Sequence, residues 1–158
     1  MKRLAKLAVV RIRSGINANA DVRETLDFLS LTRVNHCVVV DDSGSNAGML
    51  QKAKDYITWG EINPETLEHM LRKRGRLVGD KRLADDDVKS KSGFQSTKEL
   101  AEAIISGKAS FGSVPGLKKV FRLHPPRKGF KSTKRPFKDL GDLGYRGAKI
   151  NELIVKMA

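Results

Sequence analysis

A single cysteine, Cys37, stands in the whole chain, which excludes a disulfide framework and a cysteine-based metal site together. Apolar runs are equally scarce. The longest, Leu7–Val10 and Cys37–Val40, hold four residues each, far short of the roughly 20 that a membrane-spanning helix needs. Lys2 and Arg3 imitate the charged start of a secretory signal, but Lys6, Arg11 and Arg13 interrupt any apolar stretch behind them. No small-residue cleavage site follows, and the chain reads as cytosolic. Acidic charge is also in deficit: 18 Asp and Glu face 31 Lys and Arg over 158 residues, a net charge of +13. Self-repulsion of that size gains nothing for folding and suits a polyanionic partner, nucleic acid once a membrane is set aside.

The excess is unevenly placed. Residues 115–158 carry 12 basic and 3 acidic side chains, whereas residues 1–114 carry 19 and 15. A length of 158 residues allows one ordinary domain or a small one with an extension.

Patterning predicts an α+β unit over residues 1–62. Residues 4–12 read as a strand, with β-branched residues gathered at its end. Gly15 and two asparagines give turn chemistry, and Asp21 then caps a helix with Val22, Leu26 and Leu29 on one face. His36–Val40 is a compact second strand, stopped by Asp41, Asp42 and Gly44. Ser45 or Asn46 opens a second helix, with Met49, Leu50 and Ala53 inward and Lys52 and Lys54 outward. Tyr56–Glu61 is a third strand. The order strand–helix–strand–helix–strand places both helices on one face of the sheet.

Residues 63–158 read as a mainly helical extension. Asn63 and Pro64 start a helix that Gly75 ends, with Leu67, Met70 and Leu71 as its apolar stripe. Residues 76–95 show no period. Ser96 and Glu99 suit a capping box for a helix carrying Leu100, Ala103 and Ile104, closed by Gly107. Val120–Leu123 reads as a short strand. A basic stretch from Pro125 to Gly147 precedes a last helix whose Ile150, Leu153, Ile154 and Met157 recur at helical spacing, so that it packs on the body and pins the basic stretch at both ends.

The chemistry concentrates in Arg127–Lys138. Six of its twelve residues are basic (Arg127, Lys128, Lys131, Lys134, Arg135 and Lys138), and Phe130 and Phe137 interleave with them. Cations neutralise phosphates and release counterions, while a phenyl ring stacks on a base or fills a hollow. Gly129 and Pro136 are expected to keep this backbone extended; the plainer alternative is a solvated loop. Arg72, Lys73, Arg74 and Arg76 form a second basic run, which equally suits a helix C-terminus. Arg11 and Arg13 at the exit of the first strand, and Arg33, Asn35 and His36 at a helix-to-strand turn, are further candidates. Each of these, taken alone, also suits a solvated surface.

Enzyme signatures are missing. Ser43–Gly48 lacks the lysine and spacing of a phosphate-binding loop and reads as a cap or hairpin. Asp85, Asp86 and Asp87 read as a solvated turn, with no other ligands to complete a metal site. His36, His69 and His124 share no spacing with a nucleophile or ligand set. Neither a cofactor nor a small-molecule substrate is implied.

The motifs resemble those of the large-subunit ribosomal protein thirty family, called protein seven in eukaryotes, and most closely its longer archaeal form. The likeness runs through Leu29–His36, Val38–Asp41, Gly48–Leu50 with Lys52, and Trp59–Ile62. It continues through Pro125–Phe130, Gly141–Gly147 and Ile150–Ile154. The resemblance implies a three-stranded antiparallel sheet with two helices on one side. It also implies a structural role in contacting large-subunit rRNA beside neighbouring ribosomal proteins, and help in attaching 5S rRNA. Lys52, Tyr145 and Arg146 join the candidate RNA contacts on this ground. One departure stands out: bacterial members have a strongly basic loop after the first strand, whereas Ser14–Ala20 here is uncharged. A free-standing RNA-binding or RNA-chaperone protein is the rival reading.

Overall fold

Side chains of the first strand point alternately to two separate cores, and the rest of the fold follows from that division. The computed structural model describes residues 5–158. Strand β1 (Lys6–Arg11) sends Leu7 and Val9 to one face and Ala8 and Val10 to the other, so the expected start at Leu4 lies outside the described residues. It is the central strand, flanked antiparallel by β2 (His36–Asp41) and β3 (Ile57–Glu61).

The first core forms between the sheet and two helices, α1 (Ala20–Phe28) and α2 (Gly44–Lys52). Leu7, Val9, Val38, Ile57 and Trp59 from the strands meet Leu26, Leu29, Leu31, Leu50 and Ala53 from the helical side. Both helices therefore cover one face, as the sequence pattern predicts. Ser43, not Ser45 or Asn46, caps α2: its hydroxyl accepts the amide of Asn46 at 3.3 Å. For α1 the cap position falls on Asn19 rather than Asp21, which sits in the first turn and suits the helix dipole there.

The extension covers the opposite face. Helices α3 (Pro64–Arg74), α4 (Asp85–Ser92), α5 (Thr97–Ile105) and α6 (Ile150–Met157) bring Leu67, Met70, Leu71, Val88, Leu100, Ile104, Ile150 and Ile154 against Ala8, Val10 and Cys37. Cys37 is fully buried there, and burial pushes its thiol up to about 12, so it stays an uncharged apolar filler. The extension also lengthens the sheet. Strand β4 (Phe121–Arg122) pairs antiparallel with His36 and Cys37, and β5 (Gly144–Tyr145) pairs parallel with Thr58 and Trp59. The order is β4-β2-β1-β3-β5, so the implied three antiparallel strands form the centre of a mixed five-stranded sheet.

Two readings need correction. Residues 76–95 contain α4, whose single buried apolar residue, Val88, leaves no period to detect. Asp85, Asp86 and Asp87 are its first turn and not a free turn. Asp85 accepts the Thr97 hydroxyl and, at 3.0 Å, the Thr97 amide, and these bonds hold its carboxyl below the ordinary range. Ser96 caps α5 as expected, but the returning bond from Glu99 reaches the amide of Gln95 at 2.8 Å instead of that of Ser96.

Gly60 sets the approach of α6. A Cβ at this position would lie 1.9 Å from the carbonyl oxygen of Gly147, so only a glycine in β3 lets the start of the last helix pack on the sheet. Asn151 then ties that helix down: its side chain accepts the amide of Asn63 at 2.9 Å and donates to the carbonyl of Glu61 at 3.0 Å.

Candidate nucleic-acid interface

The basic stretch from Pro125 to Gly147 is fastened at both ends and in the middle. His124 and Arg127 donate their amides to the carbonyls of Met157 and Lys156, and Arg146 donates its own to Trp59. Between these anchors lies a buried knot. Asp142 accepts the amides of Lys131 and Ser132 and pairs with the Arg146 guanidinium at 3.1 Å. Arg146 further donates from Nε to the Thr58 hydroxyl at 2.8 Å, and that hydroxyl donates to the carbonyl of Gly144, also at 2.8 Å. Its guanidinium lies 5.0 Å from the centre of the Phe137 ring. Desolvation lowers the Arg146 pKa, with Asp142 opposing, yet an arginine stays charged in such a site.

This knot folds the loop back on itself. Pro136 bridges Leu143, Phe137 donates its amide to the Leu143 carbonyl at 2.7 Å, and Gly141 passes so close to Arg135 that a Cβ would sit 1.9 Å from its carbonyl oxygen. The expectation of an extended backbone is therefore corrected. Arg127, Lys128, Lys131, Lys134, Arg135 and Lys138 all remain exposed on the folded loop. Lys128 and Gly129 both take left-handed φ, 68° and 72°, in a turn closed by the Gly129 amide on the Pro126 carbonyl. For the lysine this costs roughly 1–2 kcal/mol, strain of the kind that collects at functional sites.

Other candidates turn inward. Arg11 is only 7% exposed and donates to the carbonyls of Arg13 at 3.0 Å and Leu31 at 2.7 Å, so it braces the turn after β1 and presents no free guanidinium. Arg146 is 8% exposed and serves the knot. Phe130 is half-buried against the second core, leaving it to fill a hollow and not to stack on a base. Tyr145 is exposed beside Trp59, and its hydroxyl donates to Glu61 at 2.6 Å. Arg13 lies 5.2 Å from the Tyr56 ring, Lys52 is exposed in the last turn of α2, and Arg72 pairs with Glu68 at 3.2 Å. Lys73 is exposed at the end of α3, while Arg74 and Arg76 are half-buried, Arg76 donating to the carbonyl of Gly75.

A second basic surface forms around the turn before β2. Asn35 adopts φ 67° and donates its amide to the Arg11 carbonyl at 2.8 Å. Among the described residues, Asn35 Oδ1 and His36 Nδ1 are buried without a hydrogen-bond partner. Desolvation, then Arg122, Arg33 and Arg11, lowers the His36 pKa. His36 lines a hollow of about 440 Å³ with Thr32, Lys118, Lys119 and Arg122. The last three, like Lys149 just before α6 and Lys156 on it, escape a reading by basic runs, because these short or single cationic positions converge only when β4 and the last helix dock. The spacing of Glu152 and Lys156 along one face of α6, with Lys149 at its N-cap, is the one signal in the sequence.

Among the described residues no group of His, Cys, Asp and Glu suits a metal, and no helix is long and apolar enough to cross a membrane. The fold is an α+β protein that presents an exposed basic loop, and comparison with known proteins narrows the class. Residues 7–57 match the family model described as Ribosomal protein L30p/L7e. A large ribosomal subunit protein uL30 from Archaeoglobus fulgidus is 50% identical over 150 residues, covering 95% of this chain and 98% of the relative. The uL30 of Methanoregula boonei is 48% identical over 151 residues, with the same coverage. That of Staphylothermus marinus is 51% identical over 156 residues, covering 95% and 96%. The chain belongs to the ribosomal protein L30p/L7e family.

Proposed function

We propose that the chain is a structural constituent of the large ribosomal subunit that binds and stabilises its rRNA. One observation carries this reading: six exposed cations on a loop held by the buried Asp142–Arg146 knot. A loop fixed before binding loses less conformational entropy when it meets RNA than a free basic tail does, so more of its electrostatic gain survives as affinity. The cations neutralise phosphates of RNA segments that would otherwise repel each other, and counterion release supplies the driving force. Arg33, Asn35 and His36, with Lys118, Lys119 and Arg122, offer a second contact, while Lys52, Arg72 and Lys73 add weaker, solvated ones.

The finer reading is that these contacts help attach 5S rRNA, that neighbouring ribosomal proteins pack against the remaining surface, and that the protein resides with ribosomes in the cytoplasm. Kinship with relatives named as large ribosomal subunit proteins supports the ribosomal part of it.

The experiment compares the wild type with R127A/K128A/K131A/K134A/R135A for binding to large-subunit rRNA and to 5S rRNA across a salt series. Each phosphate that the variant no longer neutralises should flatten the log–log slope by roughly 0.7–0.9. An unchanged slope on both RNAs would leave the loop a solvated surface. Failure to co-sediment with large subunits at moderate salt would instead favour a free-standing RNA-binding protein.

A further inference from the structure

The basic loop does not lie flat. Between it and α6 is a cleft of about 270 Å³, and the charges around it are lopsided: Arg127, Lys128, Lys131, Arg146, Lys149 and Lys156 against Asp142 and Glu152. Asp142 is already taken up by Arg146 and two amides, so it offers little repulsion to an incoming anion. The walls are partly apolar, from Pro126, Leu153 and the Phe137 ring that Arg146 faces.

A duplex cannot enter such a space, because its phosphates run over a convex surface and its bases are stacked inside. One unstacked nucleotide fits the description: a flat apolar base for the Phe137 and Leu153 side, and a phosphate for the rim of lysines. We infer that the cleft between residues 126–131 and α6 holds a single everted nucleotide of RNA, clamped by Lys149 just before the helix and Lys156 on it, and by Lys128 and Lys131 from the loop. This rests on the RNA-binding reading above and adds a preference for RNA with an unpaired base. The strained turn at Lys128 and Gly129 serves that clamp, since it turns the lysine toward the space the helix closes.

The test uses the full chain and two short RNA hairpins, identical except that one carries a single bulged 2-aminopurine and the other is fully paired. The wild type should bind the bulged hairpin about tenfold more tightly at moderate salt, with a change in 2-aminopurine fluorescence. K149Q/K156Q, which alters only exposed side chains at α6, should bring the two hairpins close to parity. Equal binding of both hairpins by the wild type would overturn the cleft while leaving RNA binding intact, whereas binding of neither would overturn the RNA reading itself. A bulge preference that survives K149Q/K156Q would place the everted base elsewhere. Adenosine monophosphate alone should bind far more weakly than the bulged hairpin; equal affinity would reassign the cleft to free nucleotides.

Discussion

Arg146 and Thr58, 88 positions apart in the chain, are joined by a buried 2.8 Å hydrogen bond that fastens the basic loop to the sheet of the first 62 residues. Asp142 completes the arrangement from inside the loop. Truncating it should do more than remove one ion pair, because Arg146 would keep its charge with no carboxylate beside it. The amides of Lys131 and Ser132 would lose their acceptor as well. Asp142→Ala should therefore cost about 3–5 kcal/mol in chemical denaturation. Replacing both partners, as in D142A/R146M, should recover part of that loss. A loss under about 1 kcal/mol would mean that water replaces the carboxylate easily and the loop is not held by it.

The His36 imidazole gives stability a pH dependence of defined sign. Its folded-state pKa lies below the ordinary value, through burial first and Arg122, Arg33 and Arg11 second. In the unfolded chain it titrates near about 6.5, so acidification protonates the unfolded state first. The stability from neutral His36 is complete above that value and is lost as the pH falls through the folded-state pKa. Thermal melts should drop from about pH 7 to about pH 5, and His36→Gln should show a shallower drop. Parallel curves for the two proteins would remove His36 as the cause.

Gly60 should be intolerant of even a methyl group. Its Cβ would fall 1.9 Å from the Gly147 carbonyl and 3.1 Å from Ile150 Cβ, so the turn at Gly147 and the start of α6 must both retreat from β3. Gly60→Ala should lower stability by roughly 3 kcal/mol, read from thermal or urea unfolding. A near-neutral result would show that the end of the chain floats on the sheet.

Residues 1–62 form a proposed folding unit, because α1 and α2 give it a core of its own. Expressed alone, the fragment should melt cooperatively but below the intact chain, and it should self-associate through the face that Ala8, Val10 and Cys37 leave bare. Circular dichroism and sedimentation velocity read both properties. A broad, non-cooperative melt would refute a boundary at residue 62.

The central strands and the helices α1, α2, α3, α5 and α6 are readable in the sequence because each carries an apolar pattern of its own. The two edge strands differ. Phe121–Arg122 shows only as a short apolar stretch, and Gly144–Tyr145 leaves no trace, since two residues that borrow their partners from β2 and β3 need no pattern. Helix α4 is hidden for a related reason: charges fill every position but the one occupied by Val88 and two serines, Ser90 and Ser92. At the basic surface, runs such as Arg127–Lys138 announce themselves. Runs cannot reveal that Arg11 and Arg146 point inward, because a guanidinium that serves carbonyls and one that awaits phosphates are the same letter. Lys118, Lys119, Arg122, Lys149 and Lys156 escape notice because their grouping exists only in three dimensions.

The second face of the sheet, covered in part by the very last helix, gives the protein a vulnerable interval at birth. Strand β3 ends at Glu61 and α6 ends at Met157, so 96 residues must be added before Ile150 and Ile154 can reach Ala8 and Val10. At roughly 5–20 residues per second, translation leaves that apolar surface without its final cover for about 5–20 s. A chain this cationic spends those seconds amid abundant nucleic acid with a greasy flank open. The nascent protein is thus a natural client for whatever shields unfinished chains at the ribosome, and overproduction without that shielding should fill inclusion bodies before it fills the soluble fraction.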